Sequence, residues 1–163
     1  MPVVKIAKNE FIAKWGFGYD DSIDDYKVVV ILGDRARWVI DKGVEVCTLR
    51  TDSWRRIADC PPPLAGSAVG VFVSGALHWT SVDCNSIVSL DLAKETLGEV
   101  FLPNYDRDRC LEFTLGVLSG WLCALPHFKE FVERSWDLGL KEDHGMEPEV
   151  QEIVGKVELL SGA

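Results

Sequence analysis

Cations are scarce in this chain. Its 163 residues carry 17 Lys and Arg against 26 Asp and Glu, a net charge of -9. Affinity for nucleic acid comes largely from cations that displace counterions from phosphates, so no nucleic-acid partner is expected. A basic protein surface would instead be steered toward it. Closely spaced cysteines are lacking too. Cys47, Cys60, Cys84, Cys110 and Cys123 stand far apart, and no Cys-x-x-Cys pair or Cys/His finger can be written from them. That argues against a structural zinc site. No apolar stretch approaches the ~18 residues of a membrane span, so no membrane partner is expected. No apolar segment follows the first lysines in the way a secretory signal requires. No Asn-x-Ser/Thr acceptor occurs. A reducing setting, cytoplasmic or nuclear, with free thiols is the expectation. His78, His127 and His144 are isolated, and neither His-Glu-x-x-His nor Gly-x-Ser-x-Gly is present. Gly16-Phe17-Gly18 is not followed by a helical pattern, so a phosphate-loop reading fails. No catalytic set, metal or cofactor can be nominated, and the chain reads as a non-enzyme.

What is present is short apolar runs rich in β-branched and aromatic residues. They are KVVVIL (27–32), VEVCTL (44–49), GVFVSGALHW (70–79), SIVSLDL (86–92), TLGEVFL (96–102) and FTLGVLSGWLCAL (113–125). Gly, Asp and Ser pairs punctuate them, and such runs predict strands. In VEVCTL, Val44 and Val46 share one face and Glu45, Cys47 and Leu49 the other. Apolar residues on both faces predict a sheet covered on both sides. Ser74-Gly75 and Ser119-Gly120 predict two-residue hairpin turns, since glycine accepts positive φ without a Cβ penalty. Pro61-Pro62-Pro63 cannot sit in a central ladder and predicts a crossing between sheets.

These strands repeat. VEVCTLRTDSWRRI (44–57) lies over IVSLDLAKETLGEV (87–100) with a period of about 43 residues, placing Asp52 on Glu95 and Trp54 on Leu97. The same displacement lays KVVV (27–30) over GVFV (70–73). Ser74-Gly75 falls on Ser119-Gly120, and Ser135-Trp136 echoes Ser53-Trp54 about two periods on. Four short strands in such a period suit a propeller blade. One unit reads GFGY, KVVVIL, VEVCTL, SWRRI, and the next GVFV, ALHW, IVSLDL, TLGEV. A third begins with FTLGVL and WLCAL. The expected fold is all-β: a partial kelch-like β-propeller of about two and a half four-stranded antiparallel blades with an irregular C-terminal tail. A plain antiparallel sandwich is the competing arrangement.

GFGYDDSIDDYKVV (16–29), VEVCTLRTDSWRRI (44–57), GVFVSGALHWTS (70–81) and IVSLDLAKETLGEVFLP (87–103) carry, in order, a pattern that resembles the F-box-associated domain of plant F-box proteins. LGVLSGWLCAL (115–125) resembles that domain's next hairpin. The resemblance implies a kelch-like propeller over 15–140, after a lead-in over 1–14 and before a divergent, disordered acidic tail over 141–163. It implies a protein-interaction module: the substrate-recognition part of a Skp–cullin–F-box ubiquitin ligase, with a protein substrate as its partner. The Skp adaptor would be engaged only through an F-box, which this sequence does not show. Two rival readings are a truncated, non-functional remnant of such a protein and a propeller enzyme or carbohydrate-binding domain.

Loops on a rigid scaffold carry recognition, which singles out Arg35, Arg37 and Trp38 in one connection and Arg107 and Arg109 in another as candidate partner contacts. Trp38 is expected to be exposed. Trp54 and Trp79 are expected to pack between blades, with Trp15, Trp121 and Trp136 sharing that role less firmly. His78 is expected to be structural. Asp20, Asp21, Asp24 and Asp25 lack calcium-loop spacing and predict a solvated turn. Repeat units bury little core alone, so open blade faces are expected to favour oligomers or aggregation.

Overall fold

Hairpin follows hairpin along the chain, so each strand pairs with its neighbour in sequence. The computed structural model describes residues 4–59, 61–83, 85–102, 110–128 and 155–156. β1 (Glu10–Asp20), β2 (Asp25–Asp34), β3 (Val39–Thr48) and β4 (Ser53–Ala58) form one four-stranded sheet in that order. β5 (Val71–Val73), β6 (Ala76–Thr80), β7 (Ser86–Asp91) and β8 (Thr96–Phe101) form a second. β9 (Cys110–Leu118) and β10 (Trp121–Phe128) pair in a third, joined by β11 (Gly155–Lys156). All pairings between these strands are antiparallel, and no helix occurs among the described residues. This is the all-β, blade-by-blade architecture that the repeat predicts. Two particulars differ from the sequence reading. Glu10 to Lys14, read as lead-in, form the start of β1. Gly155 and Lys156, read as irregular tail, pair with Ala124 and Cys123.

Turn chemistry sets the hairpins. Ser74 and Gly75 have φ of 51° and 78°, and Ser119 and Gly120 have 51° and 81°. Two successive positive φ angles match the right-handed twist of the strands they join. A second turn recurs at Trp38, Asp52 and Glu95, each left-handed at φ 50–55°. In each, the N–H donates to the carbonyl four residues back: Trp38 to Asp34 (2.8 Å), Asp52 to Thr48 (3.1 Å) and Glu95 to Asp91 (2.8 Å). Asp52 and Glu95 therefore occupy one position in successive sheets, as their overlay in sequence predicts.

The overlay of KVVV on GVFV is corrected. It placed a second strand on a first strand. Lys27 pairs with Thr48 and Ala76 with Asp91, so Lys27 corresponds to Ala76, Val28 to Leu77 and Val30 to Trp79. The reason is that the β2–β3 hairpin runs further than the β6–β7 hairpin before turning back. The period holds for the third and fourth strands and breaks across this hairpin.

Sheets stack face to face. Val29, Ile31, Val44 and Val46 of the first pack against Leu77, Trp79, Val88 and Leu90 of the second, with Leu64 from the connection closing the cluster. Val73 and Ile87 on the opposite face of the second sheet meet Phe113, Leu122 and Ala124 of the third. Glycine makes the first joint possible. A Cβ on Gly16 would come within 2.7 Å of the Leu77 side chain, and one on Gly18 within 2.4 Å of Phe72. Trp79 is buried in the joint, as expected. Trp54 is not: it pairs with Cys47, whose face points away from the second sheet, and it lies half-buried there. Trp15 is likewise on the face turned away from the second sheet, and Trp15 and Trp121 are partly exposed. Trp136 lies outside the described residues. The segment holding Pro61-Pro62-Pro63 crosses between sheets, where the Pro63 carbonyl accepts from Val82 N–H at 3.1 Å.

Two lysines lock the stack. Lys14 Nζ donates to the carbonyls of Ala65 (2.8 Å), Gly66 (2.8 Å) and Ser67 (3.0 Å), fixing the connection between sheets. Lys27 Nζ bridges Asp20 and Glu95, each at 2.7 Å, and donates to the Leu92 carbonyl. Arg55 also pairs with Glu95. The acidic turn is thus not wholly solvated: Asp21 and Asp24 are exposed, but Asp20 is buried against Lys27, whose ammonium also reaches Glu95 of the second sheet.

Candidate recognition loop

The β2–β3 tip, residues 35–38, is the most prominent exposed feature that the sequence singled out. Its base is Asp34, the last residue of β2 and buried despite its charge. Asp34 Oδ1 accepts from the N–H groups of Ala36 (2.8 Å) and Arg37 (3.3 Å), and Oδ2 lies 3.0 Å from Lys42 Nζ. A side chain that satisfies turn amides in this way fixes the loop without a ladder. Lys42, then the Ala36 and Arg37 amides, hold the Asp34 carboxyl down at about 2 against an ordinary 3.8. A carboxylate lowered on folding supports the fold above its ordinary value, and that support is lost as pH falls through the folded value. The tip should therefore loosen between pH 3.8 and about 2. A pH titration of the Trp38 indole N–H signal by NMR should show this step in the wild type and lack it in Asp34→Asn. An unchanged step in that variant would show that Asp34 does not hold the tip.

Trp38 projects from this base. It is 76% exposed, and its ring centroid is 5.4 Å from that of Phe11 on β1. Its left-handed backbone is held by the hydrogen bond to the Asp34 carbonyl, so the aromatic is presented on a stiff turn. Exposed Val39 follows it directly in the chain. The two arginines do different work. Arg35 N–H donates to the Asn9 carbonyl (2.8 Å) and its Nε to that of Glu10 (3.3 Å), tying the N-terminal segment to the loop. Arg37 pairs with Asp34 and Asp41. Both guanidinium groups still reach solvent at the rim. Arg107 and Arg109 lie outside the described residues.

A cavity of about 350 Å³ between the second and third sheets is lined by His78, Thr80, Phe113 and Thr114, among others. His78 is buried, with Nδ1 3.2 Å from the Val71 carbonyl, and burial pushes its pKa down. It is a neutral structural ring, as expected. Among the described residues no group of three or more metal-ligating side chains occurs.

Sequence reasoning missed the Asp20–Lys27–Glu95–Arg55 network and the Lys14 clamp. One signal was available: a lysine at the head of KVVVIL, and another within the apolar β1 sequence, each of which must find oxygen partners when buried.

Comparison with known proteins completes the assignment. The F-box associated beta propeller domain matches residues 1–138. An F-box/kelch-repeat protein of Arabidopsis thaliana is 30% identical over 132 residues, covering 77% of this chain and 36% of that protein. The Arabidopsis thaliana F-box protein CPR1 is 28% identical over 149 residues, covering 75% of this chain and 36% of its own length. Another Arabidopsis thaliana F-box protein is 27% identical over 154 residues, covering 80% of this chain and 38% of its own length. The chain therefore spans rather more than a third of these curated relatives. No solved structure matches. Matched across most of its length, and built of repeated antiparallel meanders stacked face to face, the chain belongs to the F-box associated beta propeller family.

Proposed function

We propose that this chain is a protein-interaction module that recognises protein substrates of a Skp–cullin–F-box ubiquitin ligase, and that it performs no chemistry itself. Family membership supports the class of function. The observation that supports the site is Trp38: a large aromatic held in a left-handed turn, packed beside Phe11 and largely exposed. Interfaces draw most of their energy from a few such aromatic or Arg anchors, with charge at the rim. Arg35 and Arg37 stand at that rim, each tethered by its own chain, so little of their freedom is left to lose on binding. Free Cys47 and Cys123 suit a cytoplasmic or nuclear setting.

Affinity capture from plant extract tests the reading. The wild-type chain should retain a reproducible set of proteins that accumulate ubiquitin conjugates when the proteasome is blocked. Trp38→Ala should weaken that capture about thirtyfold, the scale of losing one interface anchor, with unchanged circular dichroism. Equal capture by both chains would remove Trp38 from the interface. A captured set that never carries ubiquitin would remove the ligase role.

A further inference from the structure

We propose that the cavity between the second and third sheets binds a neutral aromatic ring that carries a hydroxyl donor: a phenol. The inference stands on that cavity and is independent of the ligase role.

Register explains why a space lies there. Lys27 and Val29 of the first sheet correspond to Ala76 and His78 of the second. Their partners are Gly18 and Gly16 on β1, and Val73 and Val71 on β5. At the first joint the inner strand therefore offers bare backbone, and Leu77 presses onto it. At the second joint the inner strand offers two valines to the third sheet instead. Beside Val71 lies a space of about 350 Å³, the size of a small-ligand pocket. Among the described residues it has a mouth and a floor. Ser67 and Val69 at the mouth are exposed, and His78 and Thr80 at the floor are buried. Lys14 holds the Ser67 carbonyl, which steadies the mouth before anything binds. Val71 of the second sheet and Leu115 of the third supply apolar walls, and a flat ring suits a gap between two sheets.

The floor decides the polarity of the ligand. Burial keeps the His78 ring neutral, so it carries one proton. Nδ1 donates that proton to the Val71 carbonyl at 3.2 Å, which leaves Nε2 as an acceptor. Thr80 Oγ1 donates its own proton to the Ala65 carbonyl at 3.2 Å, so its oxygen too is left to accept. Both floor groups thus call for a ligand that brings a donor, because a buried acceptor is costly to leave unmatched. A phenol hydroxyl supplies that proton, and its ring lies along Val71 and Leu115. An ammonium would bring donors as well, but burying its charge against apolar walls costs far more than burying a hydroxyl.

NMR titration of the full chain with p-cresol, toluene and 4-methylbenzylamine tests this. p-Cresol should saturate with a Kd of about 1 mM or below, a range open to a ligand of its size. It should bind about tenfold more tightly than toluene, the scale of one net hydrogen bond. Val69→Trp should crowd the mouth and raise the p-cresol Kd about tenfold or more, with unchanged circular dichroism because Val69 is exposed. His78→Phe keeps a ring but removes an acceptor, and should bring p-cresol level with toluene. Should that variant fail to fold, Thr80→Val removes the other acceptor and should narrow the same preference. No saturable p-cresol binding up to ~10 mM would overturn the site. So would an unchanged Kd in Val69→Trp, which would place the ring elsewhere. Toluene binding as tightly as p-cresol to the wild type, or the amine binding more tightly, would overturn the ligand class. N-acetyltyrosinamide separates the two sources of such a ring. Binding with the affinity of p-cresol assigns the site to a tyrosine side chain of a partner, and its exclusion assigns the site to a free phenol.

Discussion

Lys27→Met is expected to cost about 3–5 kcal/mol, the scale for removing one partner of a buried ion pair. Against a total of about 5–15 kcal/mol for an ordinary domain, that is enough to leave a large unfolded fraction at moderate temperature. The cause is what remains behind. Asp20 and Glu95 both lie 2.7 Å from the Lys27 ammonium, and the Asp20 side chain is fully buried. Without the cation Asp20 is left buried with no opposite charge, while Glu95 keeps Arg55. Urea unfolding at neutral pH measures the loss, and a variant within about 1 kcal/mol of wild type would show that the bridge contributes little. The pH dependence should change with it. Burial alone pushes the Asp20 carboxyl up, but hydrogen bonds from Lys27 and Ser22 outweigh it and hold the group below its ordinary 3.8. A carboxyl lowered on folding stabilises above its ordinary value, and that contribution drains as pH falls through the folded value. Wild type should therefore lose stability below pH 3.8, whereas Lys27→Met should gain some on mild acidification, because protonation relieves the orphaned Asp20. Identical slopes in the two proteins would refute the pairing.

Trp79→Ala should cost about 3–5 kcal/mol, as for other buried aromatic truncations. Trp79 fills the joint between the first two sheets and is 2% exposed. Its Nε1 is buried without a hydrogen-bond partner, so Trp79→Phe should be milder: it removes an unsatisfied donor along with part of the ring. A second substitution isolates the packing. A Cβ at Gly70 would sit 2.5 Å from the Trp79 ring, which predicts that Gly70→Ala strains the wild type by about 1–3 kcal/mol. In the Trp79→Ala background the same change has room and should cost almost nothing. Thermal or urea unfolding of the four proteins gives the coupling, and additive effects would place the ring elsewhere.

The strand pattern was largely legible because its causes are local. β-branched runs, Ser-Gly pairs and the left-handed positions at Asp52 and Glu95 act within a few residues, so the hairpins and their order could be written down. The period across the third and fourth strands was legible for the same reason. The slip between KVVV and GVFV arose where a longer hairpin shifted the register, and nothing in either segment alone records the length of the turn between them. At the loop, Trp38 in a polar connection announced its exposure. The tethers of Arg35 and Arg37 were hidden, because Asn9, Glu10 and Asp34 reach them only through the pairing of β1 with β2 and the shape of the tip. Trp54 misled for a related reason. Its place in the repeat was right, but which joint it serves depends on which side of its sheet is covered.

By itself the sequence determined an acidic, all-β chain of successive hairpins, with its turns and its alternating apolar faces, since propensity and periodicity act over short distances. Only the tertiary structure decided that Lys27 reaches across to Glu95 and that Gly16 makes room for Leu77. Those facts depend on how one sheet lies on the next, and packing between segments far apart in the chain leaves no pattern in either segment alone.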